Sequence, residues 1–80
     1  MTNKKVEIYS TPTCHFCHMA KGFFKEKGVA YTDYDVATDV EKRKEILEKT
    51  GQIGVPVIVI DGKDIIIGFN QPELSRLLGI

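Results

Sequence analysis

The chain has 80 residues, 42% of them hydrophobic and 28% charged, a balance that excludes a disordered segment and supports one small core in a single domain, residues 1–80. Eleven lysines and arginines against eleven aspartates and glutamates give a formal net charge of zero. That excludes a general nucleic-acid binder, which carries a basic excess gathered on one face.

Met1, Thr2 and Asn3 lead straight into a first strand from Lys5 to Ser10, whose residues alternate in character. No signal-peptide core is visible, and no apolar run approaches the roughly 20 residues that span a bilayer. The expectation is a cytoplasmic protein without a membrane partner. In that reducing compartment two cysteines are better suited to catalysis or metal binding than to a structural staple.

Thr11, Pro12 and Thr13 break the strand pattern. From Cys14 to Lys27 the apolar residues Phe16, Cys17, Ala20, Phe23 and Phe24 recur at helical spacing, and Gly28 stops that helix. Ala30 to Val36 predicts the second strand, with Tyr31, Thr32 and Tyr34 favouring extended backbone. Thr38 stands three residues before Glu41, the capping-box spacing, and starts a second helix over Asp39 to Lys49 that Gly51 ends. Val57 to Ile60 is unbroken apolar, as in a central strand covered on both faces. Asp61-Gly62 supplies a hairpin turn and Asp64 to Ile67 returns as the fourth strand. Asn70 caps a last helix with Pro72 in its first turn and Leu74, Leu77 and Leu78 on its inner face. The predicted order is β-α-β-α-β-β-α. A right-handed crossover makes the first two strands parallel, and the Asp61-Gly62 turn makes the last two antiparallel. The fold class is α/β, a mixed four-stranded sheet between helices.

Cys14 lies where the chain leaves the first strand and enters the first helix. Amide hydrogens at a helix N-terminus point outward and the helix carries a partial positive charge there. Cysteines so placed have their thiols pulled below the free value of about 8.5. Cys17 is one turn further in and more shielded, and its spacing puts both sulfurs on one face. Cys14 is thus expected to attack a substrate disulfide, and Cys17 to resolve the mixed disulfide and leave a Cys14–Cys17 bond. Pro56 opens the central strand where no ladder donor is needed. The Val55–Pro56 bond is predicted to be cis, presenting the Val55 backbone to an extended substrate beside Cys14.

Other readings of the same run stay open. Cys14, Cys17 and His18 match the attachment signature of c-type haem, although no export signal accompanies it and Met19 is too close to serve as the distal ligand. Two thiolates with His15 and His18 could bind zinc, or two chains could share an iron–sulfur cluster through Cys14. His15 and His18 are expected to face solvent, with His15 near enough to tune the Cys14 sulfur. Phe16 either lines a groove or caps the core, while Phe23 and Phe24 belong to the core. Lys21 reads as an ordinary surface lysine in preference to a holder of substrate carboxylates. Residues 41–45 form a solvated charged face.

The stretch from Val6 to Ser10, the run Thr13 to Cys17, the run Gly54 to Val57, and Gly68-Phe69-Asn70 together resemble the glutaredoxin branch of the thioredoxin-like superfamily. The resemblance covers essentially the whole chain. It implies a three-layer α/β/α sandwich, a monomer, and disulfide reduction linked to glutathione or to thioredoxin reductase. Disulfide-containing proteins or glutathione are the implied partners. No bound cofactor is implied, only a redox-active Cys14–Cys17 disulfide with glutathione as a cosubstrate. In that frame Val55 and Pro56 align the substrate, Gly68 and Asn70 border the groove, and Thr11 and Phe16 form its other rim. The chain departs from glutathione-using members at Thr11, where they often have lysine, and at Ile67 to Asn70, where they have Gly-Gly followed by aspartate. Losing such a charge-assisted contact weakens a site by about 1.5–3 kcal/mol. Gly68-Phe69 instead resembles the glutaredoxin-like electron donors of ribonucleotide reductase, which draw on thioredoxin reductase. True thioredoxins usually have tryptophan before the first cysteine and a buried aspartate in the preceding strand; this chain has no tryptophan, and Ile8 stands at the acid's place.

Overall fold

A computed structural model describes residues 4–52 and 54–80; Met1 to Asn3, read above as the lead into the first strand, lie outside the described residues. The elements are β1 (Val6–Ser10), α1 (His15–Glu26), β2 (Thr32–Asp35), α2 (Val40–Thr50), β3 (Val57–Ile60), β4 (Asp64–Ile67) and α3 (Gln71–Leu78). They form one four-stranded sheet in the order β2-β1-β3-β4. β1 runs parallel to β2 and antiparallel to β3, and β3 runs antiparallel to β4. The mixed sheet and element order match the expectation from sequence.

Side-chain alternation in the two central strands creates two cores. Ile8 of β1 joins Ile58 and Ile60 of β3 on one face, under Ala20, Phe23 and Phe24 of α1 and Leu74 and Leu78 of α3. Tyr9 of β1 joins Val57 and Val59 on the other face, under Ile46 of α2. Both faces of β3 are therefore dry, which is why its sequence is apolar without interruption. The Tyr9 hydroxyl donates to Glu45 Oε1 at 3.3 Å and so ties the sheet to α2. At the hairpin, Asp61 has φ 55°, and its Oδ1 accepts the amide of Lys5, just before β1, at 2.8 Å, a long-range bond that helps hold an aspartate in the left-handed region.

Several element boundaries differ from the sequence reading by one residue, and three differences bear on the structure. The first helix begins at His15, with Cys14 as its N-cap. The second strand is shorter than Ala30–Val36: the ladder starts at the pair Glu7–Thr32, and Val36 only donates its amide to Ser10 O at 2.9 Å. The N-cap of α2 is Asp39, whose side chain accepts from Lys42 N, and not Thr38. Thr38 is committed to the preceding turn, donating both its amide and its hydroxyl to Asp35 O.

Phe24 and Phe16 share α1 but sit in opposite environments, 0% and 56% exposed. Phe24→Ala should cost about 3–5 kcal/mol in urea unfolding, while Phe16→Ala should stay within about 0.5 kcal/mol of the parent. Equal losses would contradict this division of the helix.

Candidate active site

The turn between β1 and α1 places the first cysteine. Ser10 ends the strand, Pro12 and Thr13 turn the chain, and the Cys14 amide closes that turn on Thr11 O at 3.3 Å. Cys14 then adopts extended backbone, φ −84° and ψ 113°, as the N-cap of α1. Its sulfur accepts the Cys17 amide at 3.2 Å, the position in which a capping side chain meets the first helical turn. The side chain is half-buried.

The second cysteine is on the inner face. Cys17 is 0% exposed. Burial, followed by its hydrogen bond with Cys14, pushes its thiol up to about 12, against a smaller opposing pull from the Thr11 backbone and Lys21. The two sulfurs are thus adjacent and unlike, one reachable and one protected. Both cysteines are in the reduced form.

Beside Cys17 lies a polar set that the sequence did not reveal. Lys21 Nζ is 2.7 Å from Asp33 Oδ2, with the lysine side chain only 17% exposed. Asp33 Oδ1 accepts the hydroxyl of buried Ser10 at 2.7 Å. Burial works to raise the Asp33 carboxyl, but the bonds from Lys21 and Ser10 outweigh it and hold the group below its usual range. Lys21 is therefore not the ordinary surface lysine expected. The signal was its position: four residues after Cys17 and three before Phe24, it falls beside the apolar stripe of the helix, where a cation requires a partner. His15 and His18 are exposed, as expected, and His18 Nε2 donates to Pro12 O at 2.8 Å, bracing the turn.

The remaining residues singled out from sequence gather at the same end of the sheet. Tyr9 pairs with Val57, so the chain leaving β1 lies beside the chain entering β3. There the Val55–Pro56 bond is cis, with Val55 half-buried and Pro56 buried. Gly68, at φ 86°, donates its amide to Pro56 O at 2.8 Å, a backbone conformation that side chains other than glycine rarely take. Phe69 packs its ring against Phe23 at 5.9 Å, fixing this segment to α1. Asn70 is the N-cap of α3, and its Oδ1 accepts the Glu73 amide at 3.2 Å. Thr11 is half-buried, and Phe16 stands out from α1 instead of capping the core. Met19, weighed from sequence only as a haem ligand, is 42% exposed one turn after Phe16 and extends that apolar surface. Among the described residues no group of three or more histidines, cysteines or acids is arranged to hold a metal, and no helix is long and apolar enough to cross a membrane.

Comparison with known proteins matches this geometry to one family. A family model described as Glutaredoxin matches residues 6–65. The chain is 45% identical over 73 residues to an uncharacterized glutaredoxin-like 8.6 kDa protein in the rubredoxin operon of Clostridium pasteurianum, covering 91% of this chain and 96% of that protein. Among solved structures it is similar to the thioredoxin-like protein BC3987, with a TM-score of 0.84, 36% identity, and coverage of 92% of this chain and 100% of that one. It is also similar to the glutaredoxin-like NrdH-redoxin of Escherichia coli, a protein described as having a thioredoxin-like activity profile, with a TM-score of 0.78 and 26% identity over 91% of this chain and 93% of that one.

The contrast between the sulfurs predicts selective alkylation. Iodoacetamide at neutral pH should label Cys14 and leave Cys17 unmodified in the folded protein, because Cys17 is inaccessible and keeps its proton below about pH 12. Peptide mass spectrometry reads the sites; labelling of Cys17 at a comparable rate would contradict the asymmetry.

Proposed function

We propose that this chain, which belongs to the glutaredoxin family, reduces disulfides by a two-cysteine exchange in which Cys14 attacks and Cys17 resolves. The observation that carries this reading is the difference between the sulfurs. Cys14 is half-buried at the helix N-terminus and holds the Cys17 N–H, while Cys17 is fully enclosed one turn away. Anions are favoured at helix N-termini, so the position suits an attacking sulfur. Cys14 Sγ displaces one thiol from the substrate disulfide and forms a mixed disulfide. Cys17 Sγ then displaces the second substrate thiol and closes a Cys14–Cys17 bond. Two electrons pass from the cysteine pair to the substrate, and an external thiol restores the pair. The protein needs a reducing compartment for that last step, in keeping with the cytoplasm expected from its sequence.

The substrate lies in extended form against the Val55 backbone at the cis Pro56. Gly68 and Asn70 border one side, and Thr11 and Phe16 the other. The exposed Phe16 and Met19 give this rim an apolar character suited to protein disulfides. Glutathione is the cosubstrate that the family suggests. Here Asn70 is neutral and commits its side-chain oxygen to the Glu73 amide, so the amino group of glutathione lacks a carboxylate partner at that place. Thioredoxin reductase is accordingly the better-matched electron source, and the likeness to NrdH-redoxin supports that choice.

Consumption of NADPH with a model disulfide, supplied in parallel with glutathione plus glutathione reductase or with thioredoxin reductase, tests the reading. Turnover is expected in the thioredoxin reductase arm at several times the glutathione rate, and its loss is expected in Cys14→Ser. The reverse ranking would return the groove to glutathione. Silence in both arms with both cysteines reduced would overturn the function.

A further inference from the structure

A lysine beside the buried cysteine is an unusual choice for the inner side of a helix. Lys21 follows Cys17 by one turn on the same face of α1, with its side chain 17% exposed. Enclosing a long cationic side chain costs both hydration and rotamer freedom. Asp33 of β2 offsets that cost at 2.7 Å and is itself fixed by the hydroxyl of Ser10 of β1 at 2.7 Å. The groups that bear on this cluster are Cys14 at the N-cap of α1, His18 and Lys21 from α1, Ser10 from β1, Asp33 from β2, and the Thr11 backbone from the turn. Burial and the neighbouring Cys14 act most strongly on the Cys17 sulfur and against its anion, while the Thr11 backbone and then Lys21 act in the direction that favours it.

We propose that Lys21, held in place by Asp33 and Ser10, is a positioning residue for the resolving step, supplying the counter-charge for the Cys17 thiolate. This inference rests on the reading that Cys17 resolves the mixed disulfide at Cys14. In that step the Cys17 thiol gives up its proton, and its sulfur attacks Cys14 Sγ. The Cys14–Cys17 bond forms as the bond from Cys14 to the substrate sulfur breaks, and the departing thiolate takes up the proton that Cys17 released. A sulfur enclosed as Cys17 is has no water to carry its transient charge, and the ammonium one turn away takes that part. Asp33 fixes the ammonium at 2.7 Å and so limits the positions it can take.

The two steps separate in single-turnover reaction of the reduced protein, in slight excess, with the chromogenic disulfide dithiobis(nitrobenzoate). The first coloured thiol reports attack by Cys14, and the second reports closure by Cys17. Lys21→Met should leave the first phase within about twofold of the parent. It should slow the second about tenfold near neutral pH and move its pH profile about one unit upward, the scale of losing one nearby opposite charge. Lys21→Arg should restore both rate and profile. The pair Lys21→Met with Asp33→Asn removes both charges while leaving the buried Ser10 hydroxyl an acceptor, and it should show the same slow second phase. An unchanged second phase in Lys21→Met, or a Lys21→Arg protein as slow as Lys21→Met, would overturn the role of Lys21. A parent protein that releases only one equivalent would instead overturn the reading of Cys17 as the resolving residue.

Discussion

Among the described residues all three helices start in the same way, and the first does so with the wrong atom. Asp39 and Asn70 cap α2 and α3 with side-chain oxygens that accept the amide three residues on, at 3.1 and 3.2 Å. Cys14 caps α1 with sulfur, accepting the Cys17 amide at 3.2 Å. Oxygen caps contribute about 1 kcal/mol each, and sulfur is the weaker acceptor. Everything else about the site depends on this contact. It puts one sulfur at the open end of the helix, makes the amide of the second cysteine its donor, and turns the second sulfur inward by the geometry of a single turn.

The sheet supplies the rest of the placement. β1 is the central parallel strand, and its end delivers Cys14, while the neighbouring start of β3 delivers the cis Val55–Pro56 bond beside it. The same two strands carry the core residues Ile8, Ile58 and Ile60 against α1 and α3, so the packing that stabilises the fold also fixes the inner cysteine. Ser10 links the two functions. It is the last residue of β1, buried, and bonded to the acid that holds Lys21 next to Cys17.

Much of this was legible in the sequence, because the decisive features are local. The Cys14-x-x-Cys17 spacing, the stop at Pro56 before an all-apolar strand, and the Asn70-Pro72 helix start each announce their geometry within a few residues. The α2 cap was not legible, since Thr38 and Asp39 are both good capping residues and only the turn contacts of Asp35 decide between them. Extended-backbone preference at Tyr31, Thr32 and Tyr34 marks the second strand but not its ends, which the ladder sets at Thr32 and Asp35. The Ser10–Asp33–Lys21 set joins three elements and depends on the strand order, which alternation alone does not give.

The mechanism stands on the order of the two sulfurs. The most direct test is to mix Cys17→Ser and Cys14→Ser proteins separately with oxidised glutathione and follow intact mass over time. A stable mixed disulfide is expected on Cys14 in the Cys17→Ser protein and essentially none in the folded Cys14→Ser protein. Comparable adduct formation on Cys17 in Cys14→Ser would contradict that order.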